Sequence, residues 1–324
     1  MNNTKQTVDL PKTNLSEADL STTIAGVKFK NPVIAASGTF GSGSEYSKLF
    51  DLSLLGGICS KGLTLNPRKG NSGIRLWETP SGLINSIGLE NKGIAAFLEN
   101  DLPFMLNLGT VIIANLSGGE TEEYLKGAEL LNASAVDMIE LNISCPNVKL
   151  GGIAFGLDPN IASELVLGVR RVCTNKPLIV KLSPNAPSLA SVATACVNSG
   201  ADALSLVNTF KSMAIDTNSR KPVFDNVTAG LSGPAIKPIA LRMVWELFDS
   251  LKNTNMKIPI IGMGGITCTN DALEFMMAGA SAIQVGTATF VNPNAMIEII
   301  EGLGNYMVNN NMSSLSDISI RGKA

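Results

Sequence analysis

The sequence predicts an α/β protein whose strands close into a (β/α)8 barrel, the TIM-barrel architecture. Two observations lead to this prediction. Eight short apolar runs have the composition of buried parallel strands, and segments with helical periodicity separate most of them. The chain, at 324 residues, is long enough for one such barrel. An open, doubly wound sheet is the alternative that the same alternation permits.

The first predicted element is a small hairpin in the segment STTIAGVKFK, residues 21–30, which would close the N-terminal end of the barrel. The barrel strands follow it, and each is an apolar run of the kind that parallel sheets bury on both faces. They are residues 31–37, 56–62, 111–118, 138–144, 177–183, 203–209, 258–265 and 282–289.

Two segments between these strands show clear helical periodicity. Residues 158–172 begin with Asp158, which can accept hydrogen bonds from free amides, and Pro159 in the first turn; one face carries Ile161, Leu165, Val169 and Val172. Residues 233–251 form a longer helix that packs on the sheet through Ile236, Ile239, Ala240, Met243, Val244, Leu247, Phe248 and Leu251.

Long segments follow the second and sixth strands, at residues 63–110 and 210–257. In a barrel of this kind such loops build the active face. No linker, repeat or low-complexity stretch interrupts the pattern. We therefore predict one barrel domain over residues 20–324, preceded by a flexible N-terminal tail over residues 1–19.

Composition and charge exclude several classes of protein. Hydrophobic residues make up 45% of the chain and charged residues 16%, which is enough apolar material for a large core. The formal net charge is −2 and no basic tract is present, which disfavours nucleic acid as a partner. No long apolar run predicts a membrane span, and the polar N-terminus lacks a signal-peptide core. These features predict a cytoplasmic protein.

The chain contains five scattered cysteines and no histidine. Without a Cys-x-x-Cys pair or histidine ligands, no metal site is predicted. Proton transfer would have to use Cys, Lys, Asp, Glu or Tyr, because the usual base at neutral pH is missing. Three of the cysteines, Cys59, Cys173 and Cys196, are predicted to be buried, whereas Cys268 fits either a buried or a surface position.

Polar residues fall at or just beyond the carboxyl ends of the predicted strands, which converge on one mouth in a barrel. They are Ser37, Lys61, Asn115, Asn142, Lys181, Asn208 and Thr209. A lysine within an apolar strand is unfavourable to bury alone. Lys181 is therefore expected to face a ligand or a carboxylate, although a lysine reaching solvent at the strand end is the alternative.

Glycines cluster after the seventh and eighth strands, in GMGGI (Gly262, Gly264 and Gly265) and QVGTA (Gly286). Barrels commonly bind phosphate at this position through backbone amides. A tight turn would explain either motif alone. Together, at this place in the fold, they predict a phosphorylated cofactor.

The segment LNISCPNVKLGG, residues 141–152, places Cys145 between a strand end and a glycine pair. Pro146 ends the strand, and the glycines let the following segment flex, so the thiol is predicted to lie on a mobile loop above the mouth. A nucleophilic cysteine normally has a histidine partner, and none exists here. We therefore expect Cys145 to act as a base that removes a proton from a substrate carbon.

Ordered motifs extend this interpretation to a family. The chain contains, in this order, NPVIAASGTFG, SKGLT, TPSGLINSIGLEN, LNISCPNVKLGG, IVKLSPN, LVNTFKSMAID, GLSGPAIKPIALR, IIGMGGI and QVGTA. With these motifs it resembles the class 1 dihydroorotate dehydrogenases, which are flavin-containing barrels of pyrimidine (UMP) biosynthesis. The resemblance extends from about residue 20 to about residue 307. Ala229 departs from the glycine that relatives often carry, and the first nineteen or so residues extend beyond the usual family start.

The resemblance reaches a subclass. KLGG after Cys-Pro-Asn-Val, and NTFKSMAID after the sixth strand, are similar to the NAD-linked (class 1B) catalytic subunits. That likeness implies a partner subunit carrying FAD and a [2Fe-2S] cluster, around a homodimer core in a heterotetramer. The alternatives are a fumarate-linked class 1A enzyme, another FMN barrel such as a dihydropyrimidine dehydrogenase, and a phosphate-binding barrel without activity.

The resemblance also implies FMN and the residues that bind it and the substrate. The FMN residues would be Ser37, Lys61, Asn115, Asn142, Lys181, Val207, Gly233, Gly264, Gly265, Gly286 and Thr287. The pocket for dihydroorotate or orotate would be formed by Lys61, Asn85, Ile87, Gly88, Leu89, Asn142, Asn147, Asn208 and Thr209. Cys145 would be the catalytic base, and Lys61 would pair with the substrate carboxylate.

Overall fold

Eight parallel strands form a closed ring in the computed structural model, which describes residues 18–144, 155–254 and 256–320. The strands are β1 (Val33–Ala35), β2 (Gly57–Cys59), β3 (Val111–Leu116), β4 (Met138–Asn142), β5 (Leu178–Lys181), β6 (Ala203–Leu206), β7 (Ile260–Met263) and β8 (Ala282–Val285). Each pairs with its neighbours along the chain, and β8 pairs with β1. The predicted barrel is confirmed, and the open sheet is excluded.

Helices follow the strands around the outside of the ring. They are α1 (Ile94–Ala96), α2 (Leu102–Leu106), α3 (Thr121–Asn132), α4 (Pro159–Val172), α5 (Leu189–Asn198), α6 (Lys237–Asn253), α7 (Thr269–Met277), α8 (Ala288–Val291) and α9 (Ala295–Asn309). A π-helical turn joins α1 to α2 at Phe97–Asp101. Short 3-10 turns lie at Tyr46–Lys48, Leu52–Leu54, Pro234–Ile236 and Leu315–Asp317.

Side chains alternate across each barrel strand because successive residues of a strand point to opposite faces. The outward set packs against the helices in the main core. The inward set forms a separate apolar layer with Ile24 and Phe29 of the N-terminal hairpin, whose strands are Thr22–Ile24 and Val27–Phe29. This layer contains Ile34, Cys59, Ile113, Met138, Ile179, Ala203, Ile261 and Ala282. The predicted hairpin therefore closes the N-terminal end of the barrel.

The two periodic helices are confirmed, with corrections to their buried faces. At the start of α4, Asp158 accepts hydrogen bonds from the backbone N–H groups of Asn160 and Ile161. Ile161 and Val172 are only partly buried, although both pack against the core, and the fully buried positions include Ala162. The prediction was wrong for Ile239 on α6, which is 44% exposed because it lies beside the buried stripe that starts at Ala240.

The long segments after β2 and β6 meet above the barrel. They contribute the strands of a four-stranded antiparallel sheet, in the order Phe210–Met213, Thr228–Ser232, Gly82–Asn85 and Leu76–Thr79. A short ribbon, Ile215–Asp216 with Lys221–Pro222, extends the second segment. The sheet covers the carboxyl ends of the barrel strands, as the lengths of these segments predicted.

Other sequence predictions have mixed outcomes. Cys59, Cys173 and Cys196 are buried as predicted, and burial raises the pKa of Cys196 to about 12. Cys268 is exposed. None of the helices within the described ranges has the length and apolar character needed to cross a membrane. Nearly all of the predicted tail, residues 1–19, lies outside the described residues.

We expect Phe29→Ala to lower the free energy of unfolding by about 3–5 kcal/mol, because Phe29 is fully buried and its loss leaves a cavity in the closing layer. Urea titration followed by circular dichroism measures the change. Leu130→Ala is the matched control, since Leu130 is 43% exposed, and should change stability by less than about 0.5 kcal/mol. Equal losses in the two variants would contradict this role of the hairpin.

Candidate active site

A cavity of about 600 Å3 opens at the carboxyl ends of the barrel strands. All eight strands, or the residues directly after them, contribute to its wall, and the four-stranded sheet contributes the rest. The residues expected to bind FMN or substrate line this cavity wherever the structure describes them: Ser37, Lys61, Asn85, Ile87, Gly88, Leu89, Asn115, Asn142, Lys181, Val207, Asn208, Thr209, Gly233, Gly264, Gly265, Gly286 and Thr287. Gly262 of the GMGGI motif does not line it, because it faces Phe275 and Ala280. Cys145 and Asn147 lie outside the described residues.

The strand geometry explains why polar side chains meet here. Residues two apart on a strand point to the same face, so the position two after each residue of the apolar inner layer also points inward. Asn115 follows Ile113 in this way, and Lys181 follows Ile179. The inside of the barrel is therefore apolar near the hairpin and becomes polar one layer higher, where the cavity begins.

Glu140 of β4 is the centre of this polar layer and is fully buried. Its Oε1 accepts hydrogen bonds from Asn115 Nδ2 at 2.7 Å and from the Cys59 thiol at 3.4 Å. Its Oε2 accepts from Ser205 Oγ at 2.8 Å and from Gln284 Nε2 at 2.7 Å. A carboxyl group that meets only donors has the hydrogen-bonding pattern of an ionised carboxylate.

Lys181 completes this arrangement. Its Nζ lies 3.8 Å from Glu140 Oε1, and the side chain is almost entirely buried while also lining the cavity. The expectation that Lys181 faces a ligand or a carboxylate is thus confirmed for the carboxylate. Burial of the pair is tolerated because the carboxylate has a full set of donors and the lysine has a counter-ion. The same environment raises the pKa of the Cys59 thiol, chiefly through burial and then through the Glu140 charge.

Two buried oxygens have no hydrogen-bond partner within the described part of the chain, Asn115 Oδ1 and Gln284 Oε1. Both residues give their NH2 group to Glu140, and both line the cavity. An unpartnered buried carbonyl is unfavourable by roughly 1–3 kcal/mol. These oxygens are suited to accept hydrogen bonds from N–H or O–H groups of a molecule bound in the cavity.

A second network fixes two amides nearer the mouth. Asn142 Oδ1 accepts a hydrogen bond from Ser144 Oγ at 2.6 Å, and Asn142 Nδ2 donates to Ser117 Oγ at 3.1 Å. Asn208 Nδ2 donates to the same Ser144 hydroxyl, while Asn208 Oδ1 accepts from the Thr209 backbone N–H. Each NH2 group has two hydrogens and donates one of them in these bonds, so each amide keeps an N–H with which to bind a ligand.

Two glycines after β7 and β8 line the cavity for different reasons. Gly265 has a φ of +76°, and a Cβ there would lie 2.8 Å from the Gly233 carbonyl oxygen and from the Lys237 backbone nitrogen. Gly286 differs, because a Cβ there would meet nothing closer than 3.5 Å. The protein itself leaves room for a side chain at Gly286, and close approach of a ligand would account for the glycine.

A salt bridge holds this end of the cavity together. Lys237 Nζ at the start of α6 lies 2.6 Å from Asp271 Oδ1 and 3.0 Å from Glu274 Oε1, both on α7. The hydrogen bond to Asp271 raises the pKa of Lys237. Burial alone would raise the pKa of Asp271, but hydrogen bonds from Lys237 and Thr267 outweigh it and lower that pKa.

Lys61 contrasts with Lys181 and Lys237. It follows β2 and lines the cavity, yet among the residues that the structure describes none forms a salt bridge with its ammonium group. A cation at a cavity wall without a counter-ion of its own is suited to bind an anionic ligand.

Sequence reasoning missed several polar residues that line the cavity or lie beneath its wall. It did not single out Glu140, Ser205, Gln284 or Ser144. The first three occupy inward positions of strands whose other residues are mostly apolar, in MIELN, ALSL and AIQV. Counting every second residue from the inner apolar layer would have found them. No comparable signal marks Ser144, which depends on how two strand ends approach each other.

The amino-acid sequence is similar to those of known proteins. The model of the dihydroorotate dehydrogenase family matches residues 19–307. The chain belongs to the dihydroorotate dehydrogenase family. Among similar members, a dihydroorotate dehydrogenase B (NAD(+)) catalytic subunit from Petrotoga mobilis is 58% identical over 300 residues, which cover 93% of this chain and 98% of that protein.

Two further members of the family carry the same name. The protein from Geotalea daltonii is 52% identical over 305 residues, covering 94% of this chain and 98% of its own. The protein from Thermoanaerobacter pseudethanolicus is 51% identical over 300 residues, covering 93% and 97%. The family resemblance inferred from the ordered motifs is confirmed.

We expect Asp271→Asn to destabilise the protein at neutral pH. Because the pKa of Asp271 is lowered in the folded state, its stabilising contribution is complete above the unfolded value of 3.8 and is lost as the pH falls through the folded value. The difference in thermal midpoint between variant and wild type should therefore shrink on acidification below about pH 4. Differential scanning fluorimetry across pH 3–8 measures it.

Glu274→Gln is the matched control, because it removes the other carboxylate that Lys237 contacts. The Glu274 side chain is 43% exposed, against 10% for Asp271, so its loss should have the smaller effect. A pH-independent difference for Asp271→Asn would contradict the salt-bridge explanation.

Proposed function

We propose that this chain oxidises (S)-dihydroorotate to orotate in pyrimidine biosynthesis, with FMN bound in the cavity and NAD+ as the final acceptor through a partner subunit. One observation carries the proposal: in a chain of this family, the residues expected to bind cofactor and substrate line a single cavity wherever the structure describes them. The relatives' name, which includes NAD(+), favours the NAD-linked enzyme over the fumarate-linked alternative.

The residues of the cavity fit FMN. Two buried carbonyl oxygens lack partners within the described ranges, which suits a ring carrying N–H groups. Lys181 brings a positive charge to the inner end of the cavity, and Gly264, Gly265, Gly286 and Thr287 suit a phosphate at the other end. When bound, FMN supplies the acceptor for the hydride that leaves C6 of the substrate.

The chain's own groups would orient the substrate. Lys61 would bind the substrate carboxylate, since none of the described acidic residues pairs with it. The N–H groups of Asn142 and Asn208, fixed through Ser144, would donate to the pyrimidine carbonyls. Asn85, Ile87, Gly88, Leu89 and Thr209 would complete the wall, together with Asn147, which follows Cys145 by two residues in the sequence.

Cys145 would remove the proton from C5 of dihydroorotate. The chain contains no histidine, and the three buried thiols Cys59, Cys173 and Cys196 all have raised pKa values, which leaves them protonated at neutral pH. Cys145 directly follows Ser144 in the sequence, and Ser144 lines the cavity, which supports the assignment. Activity should rise with pH as the thiol ionises.

Cys145→Ala should retain FMN and lower turnover by roughly 100-fold or more, the usual effect of losing an acid–base group. Flavin content is measured by visible absorbance, and turnover by orotate formation. Cys268→Ala is the control, because Cys268 is an exposed thiol that does not line the cavity, and it should keep near-normal turnover. Near-normal turnover in Cys145→Ala would refute the assignment.

The name "catalytic subunit" carried by the relatives supports a second chain in the functional assembly. We place FAD and a [2Fe-2S] cluster on that electron-transfer partner, and a homodimer of this chain at the core of a heterotetramer. The experiment is an anaerobic titration of the co-purified complex, and of this chain alone, with dihydroorotate followed by NAD+.

The flavin of the isolated chain should be bleached by dihydroorotate, whereas NADH should form only when the partner is present. Fumarate reduction by the isolated chain would favour the class 1A alternative. A colourless chain that cannot be reconstituted with FMN would contradict the proposed function as a whole.

A further inference from the structure

Glu140 does not belong to the set of residues expected to bind cofactor or substrate, and it does not line the cavity. It nevertheless contacts three residues that do line it: Asn115, Lys181 and Gln284. The two amides donate their NH2 groups to opposite oxygens of this carboxylate. Glu140 therefore influences the orientation or charge of side chains that a bound ligand would contact.

The direction of each amide follows from this contact. A terminal amide can present either its oxygen or its NH2 group to the cavity, and the two orientations fill nearly the same space. A buried carboxylate accepts hydrogen bonds but donates none, so it holds the NH2 groups toward itself. The oxygens of Asn115 and Gln284 are left buried and unpartnered within the described part of the chain.

We propose that Glu140 is a positioning residue that makes the inner wall of the cavity accept hydrogen bonds by orienting Asn115 and Gln284, and that balances the charge of Lys181 beside the bound flavin. The inference rests on the proposed function, in which that flavin is FMN. It assigns Glu140 no contact with cofactor or substrate. Its effect on the flavin passes through the two amides and the lysine.

The conservative substitution Glu140→Gln tests this role because it changes hydrogen bonding and charge without changing size. The oxygen of the introduced amide belongs beside the Lys181 ammonium, at the position of Oε1. Its NH2 group then lies at the position of Oε2, opposite Ser205 and Gln284. The serine hydroxyl can rotate to accept, but Gln284 must turn its amide over and present NH2 to the cavity.

Two readouts other than activity follow. Apo-protein titrated with FMN, monitored by flavin fluorescence, should show binding weakened by about tenfold or more in Glu140→Gln, because one acceptor toward the ligand is lost. The midpoint potential of the bound flavin should rise, because the Lys181 charge is no longer balanced and favours the reduced, more negative flavin. A merely structural role would lower thermal stability without moving the potential.

Ser205→Ala is the matched control. Ser205 donates to the same carboxylate but does not line the cavity. This variant should keep the wild-type affinity for FMN and the wild-type midpoint potential. Gln284→Met removes the other donor to Oε2 together with an acceptor in the cavity. It should therefore weaken FMN binding about tenfold. This pair of variants tests the inference even if Glu140→Gln fails to fold.

Combining the substitutions shows whether Glu140 acts through Gln284. Glu140→Gln should weaken FMN binding much less in the Gln284→Met background than in wild type, because the amide it would turn over is absent. The inference is overturned if folded Glu140→Gln keeps wild-type affinity and potential, or if Ser205→Ala weakens binding as much as Gln284→Met. Wild-type protein that binds no FMN would instead overturn the proposed function.

Discussion

The closed ring of eight strands imposes one constraint on which the site depends: every second residue of each strand must point into a space only a few side chains wide. Near the hairpin this space is filled by apolar residues. One layer higher, the same inward positions carry Asn115, Glu140, Lys181, Ser205 and Gln284, which hydrogen-bond to one another or pair by charge. The alternation of a strand thus creates a polar base for the cavity directly above an apolar core.

The carboxylate at the centre of that layer illustrates how a buried charge is stabilised. Transferring an isolated carboxylate from water into a protein interior is strongly unfavourable, and a single counter-ion offsets only part of that cost. Glu140 has four hydrogen-bond donors in addition to the Lys181 ammonium. The donors that stabilise the carboxylate are themselves oriented by it, so the charge and the orientation of the cavity wall depend on each other.

The sequence was sufficient to predict the barrel, its closing hairpin and most of the cavity wall. Strands and the buried faces of helices follow local patterns in the sequence. Lys181 was recognisable because a lysine within an apolar strand is unfavourable to bury without a counter-ion or ligand. Ile239 was assigned to a buried face because the apolar stripe of its helix is narrower than the apolar composition suggests. Glu140 was not predicted because its neighbours in MIELN are mostly apolar. Only the alternation of the strand, followed from the inner apolar layer, shows that this residue points into the barrel.

Other properties of the site depend on three-dimensional contacts that no local pattern contains. Which end of Asn115 or Gln284 meets the ligand depends on a carboxylate from another strand. The bridging position of Ser144, between Asn142 and Asn208, arises only when β4 and β6 end at the same height. The salt bridge of Lys237 with Asp271 likewise requires two helices to start side by side.

The sheet above the barrel makes the cavity wall depend on two distant segments of the chain at once. Its strands come from the segments after β2 and β6, which lie on opposite sides of a ring of eight, and they join through the pairing of Gly230 with Asn85. This pairing makes one continuous wall from two segments that are far apart in the chain, and Asn85 and Gly230 both line the cavity. A displacement of either segment would therefore move cavity residues that the other segment carries.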